Sequence, residues 1–357
     1  MNRGTILFRV DGSPQLGMGR LARCLALANA LQRRRYQMSF IGNIEGTAWP
    51  DRIRRFRHAV TRTAHLAGTP DDRKAFLQEI ALRNPMVVVT DSANFDESYL
   101  AELTQCVPVV IAMEDAGSRK LPVDLVINPT LGRGLSDFKI RTGGQVVFGN
   151  RFAMIRAEFR RARNIRATEP SGGPKVMLAL GGGDTGDQSF ALAKALLQKK
   201  RIEKIDVALG GETKNKKQFE ALVANSSGRL TTTCDVRDMG IRMTKSHLLI
   251  TSGGNTSLEG ACVGMPMLLV SREERQDVNA ATLDEIGAAQ FLGRQGTVSP
   301  SDVAEAAVAV LEDTFERKAM SRSGRLLIDG RGGDRIVVAV EILLRRSRKT
   351  KALPMAA

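Results

Sequence analysis

Short aliphatic and β-branched runs alternate along the chain with segments whose apolar residues recur every three or four positions. Residues 5–10 read as a buried strand, residues 11–19 as a glycine-bearing loop, and residues 20–35 as a helix with Leu21, Leu25, Ala28 and Leu31 on one face. Residues 39–42 close this strand–helix–strand unit. Further strands are expected at 86–90, 107–112 and 123–127, with a helix at 96–104. Residues 167–175 then carry the Pro, Gly and Ser bias of a linker, and the pattern restarts behind them. It runs as strand 176–180, a glycine-rich loop, helix 187–198, strand 205–209, helix 214–224, strand 248–251, helix 256–263, strand 267–270 and helix 278–286. Strands separated by helices form parallel sheets, so the expectation is an α/β chain of two Rossmann-like domains. They span residues 1–166 and 175–332, and residues 333–357 supply a last helix and a basic tail.

The chain has 357 residues, which agrees with two cores of roughly 150 residues each. With 43% hydrophobic and 25% charged residues it matches folded proteins rather than disordered ones. No stretch approaches the ~20 consecutive apolar residues of a membrane helix, and Arg9 and Asp11 interrupt the start, so a cytoplasmic location is expected. Cys24, Cys106, Cys234 and Cys262 lie far apart, which fits reduced thiols better than a disulfide frame or a zinc site. The net charge of +15 concentrates around residues 52–57, 156–166 and 345–351. With 4% aromatic residues there is little for nucleic-acid bases to stack on, so solvated faces, or attraction to an anionic membrane or substrate, account better for the charge.

Three glycine clusters stand where a strand gives way to a helix: Gly17 with Gly19, Gly181 with Gly182 and Gly183, and Gly253 with Gly254. Glycine lets a ligand approach the backbone closely, and the next helix N-terminus offers N–H groups to phosphate. A single such cluster is equally a tight turn of any α/β protein. Here the third one opens the longer run Gly253-Gly254-Asn255-Thr256-Ser257-Leu258-Glu259, followed by Gly264-Met265-Pro266, Gln276 and Asn279.

That run resembles the nucleotide-binding half of the inverting GT-B glycosyltransferases that include the lipid II-forming N-acetylglucosaminyltransferase. The whole chain more closely resembles the UDP-2,4-diacetamido-2,4,6-trideoxy-altropyranose hydrolases of pseudaminic acid biosynthesis and their spore-coat polysaccharide relatives. The matching pieces keep their order: Arg9-Val10-Asp11, Gly17-Met18-Gly19, Arg23-Cys24-Leu25-Ala26, Glu114-Asp115, and Asp124 through Asn128. They continue with Phe148-Gly149, Arg156-Ala157-Glu158-Phe159, Leu180 through Asp184, and Asp329 through Val337. The resemblance implies a GT-B arrangement with an interdomain cleft, the final helix crossing back to the first domain. It implies a diphosphate held by Gly182, Gly183, Gly254 and Asn255 at the helix headed by Thr256. Glu259 would accept from the ribose hydroxyls, and Gln276 and Asn279 would lie toward sugar or phosphate. No D-x-D motif is present, so neither a metal nor a cofactor is expected.

The departures fall in the first half. Where the resemblance leads one to expect histidine as general base, the chain has Arg20, which cannot take up a proton at neutral pH. The tyrosine of an Asp-x-Tyr motif is missing at Asp91-Ser92-Ala93. His58, His65 and His247 offer no obvious substitute. Asp11 is the leading replacement base, with Asp91 and Asp115 next, and Arg20 would hold a phosphate or carboxylate. Three functions remain open: a hydrolase releasing UDP from an amino-deoxy sugar, a glycosyltransferase using the same donor, and a nucleotide-sugar-binding protein that has lost its base.

Overall fold

A computed structural model describes residues 3–13, 16–46, 48–115, 119–181, 184, 186–211 and 213–352. The chain divides into two compact units, one formed by Met1–Ser13, Arg20–Met154 and Arg331–Ala357, the other by Pro14–Gly19 and Ile155–Gly330.

The first unit runs β1 (Thr5–Val10), α1 (Gly19–Gln32), β2 (Gln37–Gly42), α2 (Ala48–Arg55), β3 (Ala59–Arg62), α3 (Pro70–Arg83), β4 (Val87–Asp91), α4 (Glu97–Cys106) and β5 (Val109–Met113). After these come β6 (Lys120–Leu121), β7 (Leu125–Asn128), β8 (Lys139–Ile140) and β9 (Gln145–Phe148). Seven strands form one parallel sheet in the order β3-β2-β1-β4-β5-β7-β9, and β6 pairs with β8 apart from it. The chain winds outward from β1 to β3 and then returns to β4 on the other side. Loops diverge there, beyond the carboxyl ends of β1 and β4, where open α/β sheets take ligands. Ile6, Leu7, Phe8 and Val10 are all fully buried, as a strand covered by helices on both faces requires.

The second unit begins with α5 (Ala157–Ile165). It continues through β10 (Lys175–Ala179), α6 (Asp187–Leu197), β11 (Lys204–Leu209), α7 (Lys216–Ala224), β12 (Leu230–Cys234), α8 (Met239–Thr244), β13 (Leu248–Thr251) and α9 (Asn255–Val263). Next come β14 (Met267–Ser271), α10 (Glu274–Glu285), β15 (Gln290–Arg294), α11 (Pro300–Glu312) and α12 (Thr314–Leu327). Its six parallel strands are ordered β12-β11-β10-β13-β14-β15, which puts a second switch point between β10 and β13.

The boundary expected at residues 167–175 falls inside this second unit, because the chain passes from one unit to the other after Met154. Helix α5 packs on α8 and α9, burying Phe159 and Ala162 completely. Arg163 donates to the carbonyls of Cys262 at 3.0 Å and Ile328 at 3.2 Å. Arg166 reaches the carbonyls of Gly264, Met243 and Ser246, tying the ends of α8 and α9 together. The last helix, α13 (Gly332–Ala352), is grouped with the first unit. Its Gly332 lies so close to Phe152 and Ala153 that a Cβ there would stand 2.2 Å from the Ala153 carbonyl oxygen. Among the described residues, no helix is long and apolar enough to cross a membrane.

Candidate functional site

In the second unit the switch-point loop is Ser252-Gly253-Gly254, between β13 and α9. A Cβ on Gly253 would meet the Gln276 carbonyl oxygen at 2.1 Å, so only glycine lets the loop lie against the start of α10. Of the two side chains expected to face sugar or phosphate, Asn279 braces this loop and Gln276 the turn between β14 and α10. The Asn279 amide donates to the Gly253 carbonyl at 3.0 Å, and the Gln276 side-chain oxygen accepts the Arg272 N–H at 3.0 Å. The Asn255 amide donates to the Gly19 carbonyl at 2.8 Å, with residues 14–19 grouped with this unit. Gly17 turns through the left-handed region at φ 74°.

Gly254 caps α9 without any side-chain acceptor, and of the first-turn amides the Ser257 N–H turns back to the Gly254 carbonyl at 3.1 Å. Thr256 sits half-buried in that turn. In the neighbouring loop, Gly182 and Gly183 lie outside the described residues. Around them Asp184 closes a turn, its N–H donating to the Gly181 carbonyl at 3.1 Å and its carboxylate accepting the Gly186 N–H at 3.2 Å.

Glu259 lies one turn into α9 and is only 3% exposed. Arg156 meets it with a fork, Nε to Oε1 at 2.8 Å and Nη2 to Oε2 at 3.0 Å. The same guanidinium bonds Glu158 at 2.8 Å and sits 4.7 Å from the centre of the Phe159 ring. Burial works against its charge, but Glu259 and Glu158 outweigh burial and raise the Arg156 pKa above its ordinary value.

The first unit gathers three of the four expected catalytic side chains around a residue to which the sequence assigned no role. Arg23, one turn into α1, donates through Nε and Nη2 to the two oxygens of Asp91 at 2.7 and 2.5 Å, and through Nη1 to Asp115 at 2.5 Å. Arg20 Nε stands 3.9 Å from the same Asp91 carboxylate. Burial opposes the charge on Arg23, yet Asp115 and Asp91 more than offset it and raise its pKa well above the usual value. The Cys24 thiol donates to Asp91 at 3.3 Å, and burial, reinforced by Asp91, pushes its pKa well up, which makes it a poor nucleophile.

Asp11, the expected leading base, does not join this cluster. One of its oxygens accepts from Arg9 and from the Asn43 N–H at 2.8 Å, and the other takes the Ala67 N–H at 2.7 Å. Arg9 is fully buried and also holds Asp72 at 2.7 Å, so Asp11 works as a clamp on the loops that follow β2 and β3. The rings of His247 and His58 are occupied too. The His247 ring accepts from the Lys175 N–H at 3.2 Å and faces the Pro170 carbonyl at 3.1 Å, while His58 bonds the Asn29 side chain at 2.8 Å.

Arg23 had a legible signal, for a cation inside the buried run from Leu21 to Leu31 demands a buried counter-charge. Arg156 had a weaker one, since it stands in a cluster of arginines that reads as a solvated face.

No family model matches the chain. It is 22% identical over 337 residues to the spore coat polysaccharide biosynthesis protein SpsG of Bacillus subtilis strain 168, covering 93% of this chain and 96% of that one. It is 23% identical over 274 residues to the uncharacterized protein MJ1062 of Methanocaldococcus jannaschii, covering 74% of this chain but only 55% of that protein. The structure superposes on the S. aureus MnaA–UDP co-structure with a TM-score of 0.67 at 16% identity, covering 97% of each chain. It superposes on CalG4, the calicheamicin glycosyltransferase, with a TM-score of 0.64 at 14% identity, covering 97% and 99%. The fold is thus of the GT-B class, with two Rossmann-like domains.

Proposed function

We propose that the chain is a nucleotide-sugar enzyme that hydrolyses a UDP-linked amino-deoxy sugar, in the synthesis of a surface polysaccharide or a pseudaminic-type acid. The observation that carries this reading is the α9 N-terminus. It is capped by glycine at the switch point of the second sheet, and a buried, fixed carboxylate, Glu259, stands one turn in. The glycine-capped helix N-terminus and its dipole suit a diphosphate, and a carboxylate such as Glu259 suits a vicinal diol. The likeness to SpsG and to the UDP-bound MnaA fold supports the same assignment.

In this reading, water attacks the anomeric carbon, a new carbon–oxygen bond forms, and the bond to the diphosphate breaks so that UDP leaves. A base must take the water's proton. Of the three candidate carboxylates Asp11, Asp91 and Asp115, Asp115 suits this best, with a side chain 15% exposed against 1% for Asp91 and 4% for Asp11. Arg20 and Arg23 supply positive charge to the same cluster. A second reading, transfer of the sugar to an acceptor other than water, is favoured by the absence of a histidine base at position 20 and by the likeness to CalG4.

Incubation with a panel of UDP-sugars in EDTA tests both. UDP release in water alone supports hydrolysis, and release only after an acceptor is added supports transfer. Failure to bind any UDP-sugar overturns both readings.

A further inference from the structure

The charge of the protein is unevenly placed. The first unit holds 28 Lys and Arg against 16 Asp and Glu, a net +12, whereas the second holds 25 against 22, a net +3. Within the first unit, six exposed arginines, Arg33, Arg34, Arg35, Arg54, Arg55 and Arg57, occupy the ends of α1 and α2 where the chain turns into β2 and β3. Hydrogen bonds and ion pairs join these segments into one surface. The Gln32 side chain donates to the Phe56 carbonyl at 2.8 Å, and the Arg3 N–H donates to the Arg35 carbonyl at 3.1 Å. Arg33 pairs with Asp334 at 2.5 Å and Arg3 with Glu341 at 2.6 Å, which lays one side of α13 against the same region.

The surface also carries apolar groups. Phe56 is 44% exposed among the arginines, and Val338 and Ile342, 48% and 42% exposed, lie on α13 around the two ion-paired acids. Because the strands are parallel, this surface lies at their amino ends, away from the Arg23, Asp91 and Asp115 cluster at their carboxyl ends.

We propose that this arginine-rich face of the first unit docks on an anionic lipid surface. A membrane interface is the occupant that uses both components: the arginines meet lipid phosphates, and Phe56, Val338 and Ile342 enter the headgroup boundary. Nucleic acid would engage the charge but leave Val338 and Ile342 idle, and the single exposed ring of Phe56 makes no platform for successive bases. Docking by the amino ends of the strands leaves the carboxyl-end cluster of this unit facing away from the lipid.

Sedimentation with phosphatidylcholine vesicles, with and without phosphatidylglycerol, tests the proposal. The protein is expected to sediment only with the anionic vesicles and to be released by high salt. Each cation near such a surface strengthens binding about fivefold, so reversing Arg34, Arg54 and Arg55 to Glu should weaken it by upwards of about a hundredfold. Phe56→Ser should weaken it further at unchanged charge. The equal charge change Lys200→Glu, Lys216→Glu and Lys217→Glu, on the second unit, should weaken it far less. Unaltered thermal unfolding checks that the variants are folded. No binding to anionic vesicles at low salt, equal loss from the two triple variants, or stronger Arg34-, Arg54- and Arg55-dependent binding to a duplex oligonucleotide overturns the proposal. UDP-sugar turnover in solution, measured in parallel, reads the catalytic assignment independently.

Discussion

Arg156 closes both oxygens of Glu259 in a two-pronged ion pair, with side chains 14% and 5% exposed. Removing one partner of so buried a pair leaves the other charge stranded, at a cost of about 3 kcal/mol. Arg156→Ala is therefore expected to lose that much unfolding free energy in urea, and the double variant Arg156→Met, Glu259→Gln should recover roughly half of it. A loss below about 1 kcal/mol for Arg156→Ala would mean that the pair behaves as a solvated one.

Uridine nucleotides should bind the second unit, which calorimetry with UDP measures. Glu259→Gln keeps the shape but removes the charge, and a charge-assisted hydrogen bond is worth enough that affinity should fall at least about tenfold. Gly253→Ala drives a methyl into the Gln276 carbonyl and should abolish binding by displacing the loop. Absence of saturable heat with UDP in the wild type would end the nucleotide reading.

Position 20 separates an enzyme using a carboxylate base from a protein that has lost its base. In the first case Asp115→Asn should reduce UDP release by about 100- to 10,000-fold with little change in binding, and Arg20→Ala should mainly weaken binding. In the second, the wild type binds without turnover and Arg20→His restores measurable UDP release. Fast wild-type turnover that ignores both Asp115→Asn and Arg20→Ala places the base elsewhere.

Acid should weaken the fold partly through His58. Burial lowers its pKa to about 4 from the ordinary 6.5, so the native state keeps the ring neutral while the unfolded chain takes up a proton. This contribution is fully present above pH 6.5 and is lost as the pH falls from 6.5 toward 4. It amounts to about 1–3 kcal/mol at the acid end. His58→Gln should flatten the stability profile over that window, read as the difference from wild type in urea midpoints. Parallel profiles would show that His58 does not carry it.

Much of the fold was legible because the centres of β4, β5, β10, β13 and β14 are continuous apolar runs that parallel burial imposes, and β1 is one broken only by Arg9. Elements with weaker periodicity escaped. Helix α3 buries only Asp72, Phe76 and Ile80, and the alternation of β12 is carried by threonines at a sheet edge. Helix α11 was missed although its start signal is present: Ser299 forms a capping box with Asp302, and Pro300 stands at the first position. In the candidate site, motif spacing picked out the α9 loop and three side chains, Asp91, Asp115 and Arg20, that the fold brings together. Asp11 lies apart from them, and nothing local reveals that the Asn43 and Ala67 N–H groups, distant in sequence, bond its two oxygens. Arg23 and Arg156 stand in the matching pieces but carry no role there for the same reason, since a cation declares its role only when its partners, 68 and 103 positions away, fold against it.

The grouping of residues 331–357 with the first unit makes that unit discontinuous, and this sets an order on synthesis. Ile336, Val337 and Val340 of α13 are almost wholly buried, so until they leave the ribosome the first unit lacks part of its apolar covering. Residues 155–330 emerge earlier and hold an uninterrupted core, so the second unit can fold first while the first waits with an open flank. A nascent chain arrested before residue 331 should accordingly show a protease-resistant second half and a sensitive first half, and chaperone contact should concentrate on the amino-terminal third.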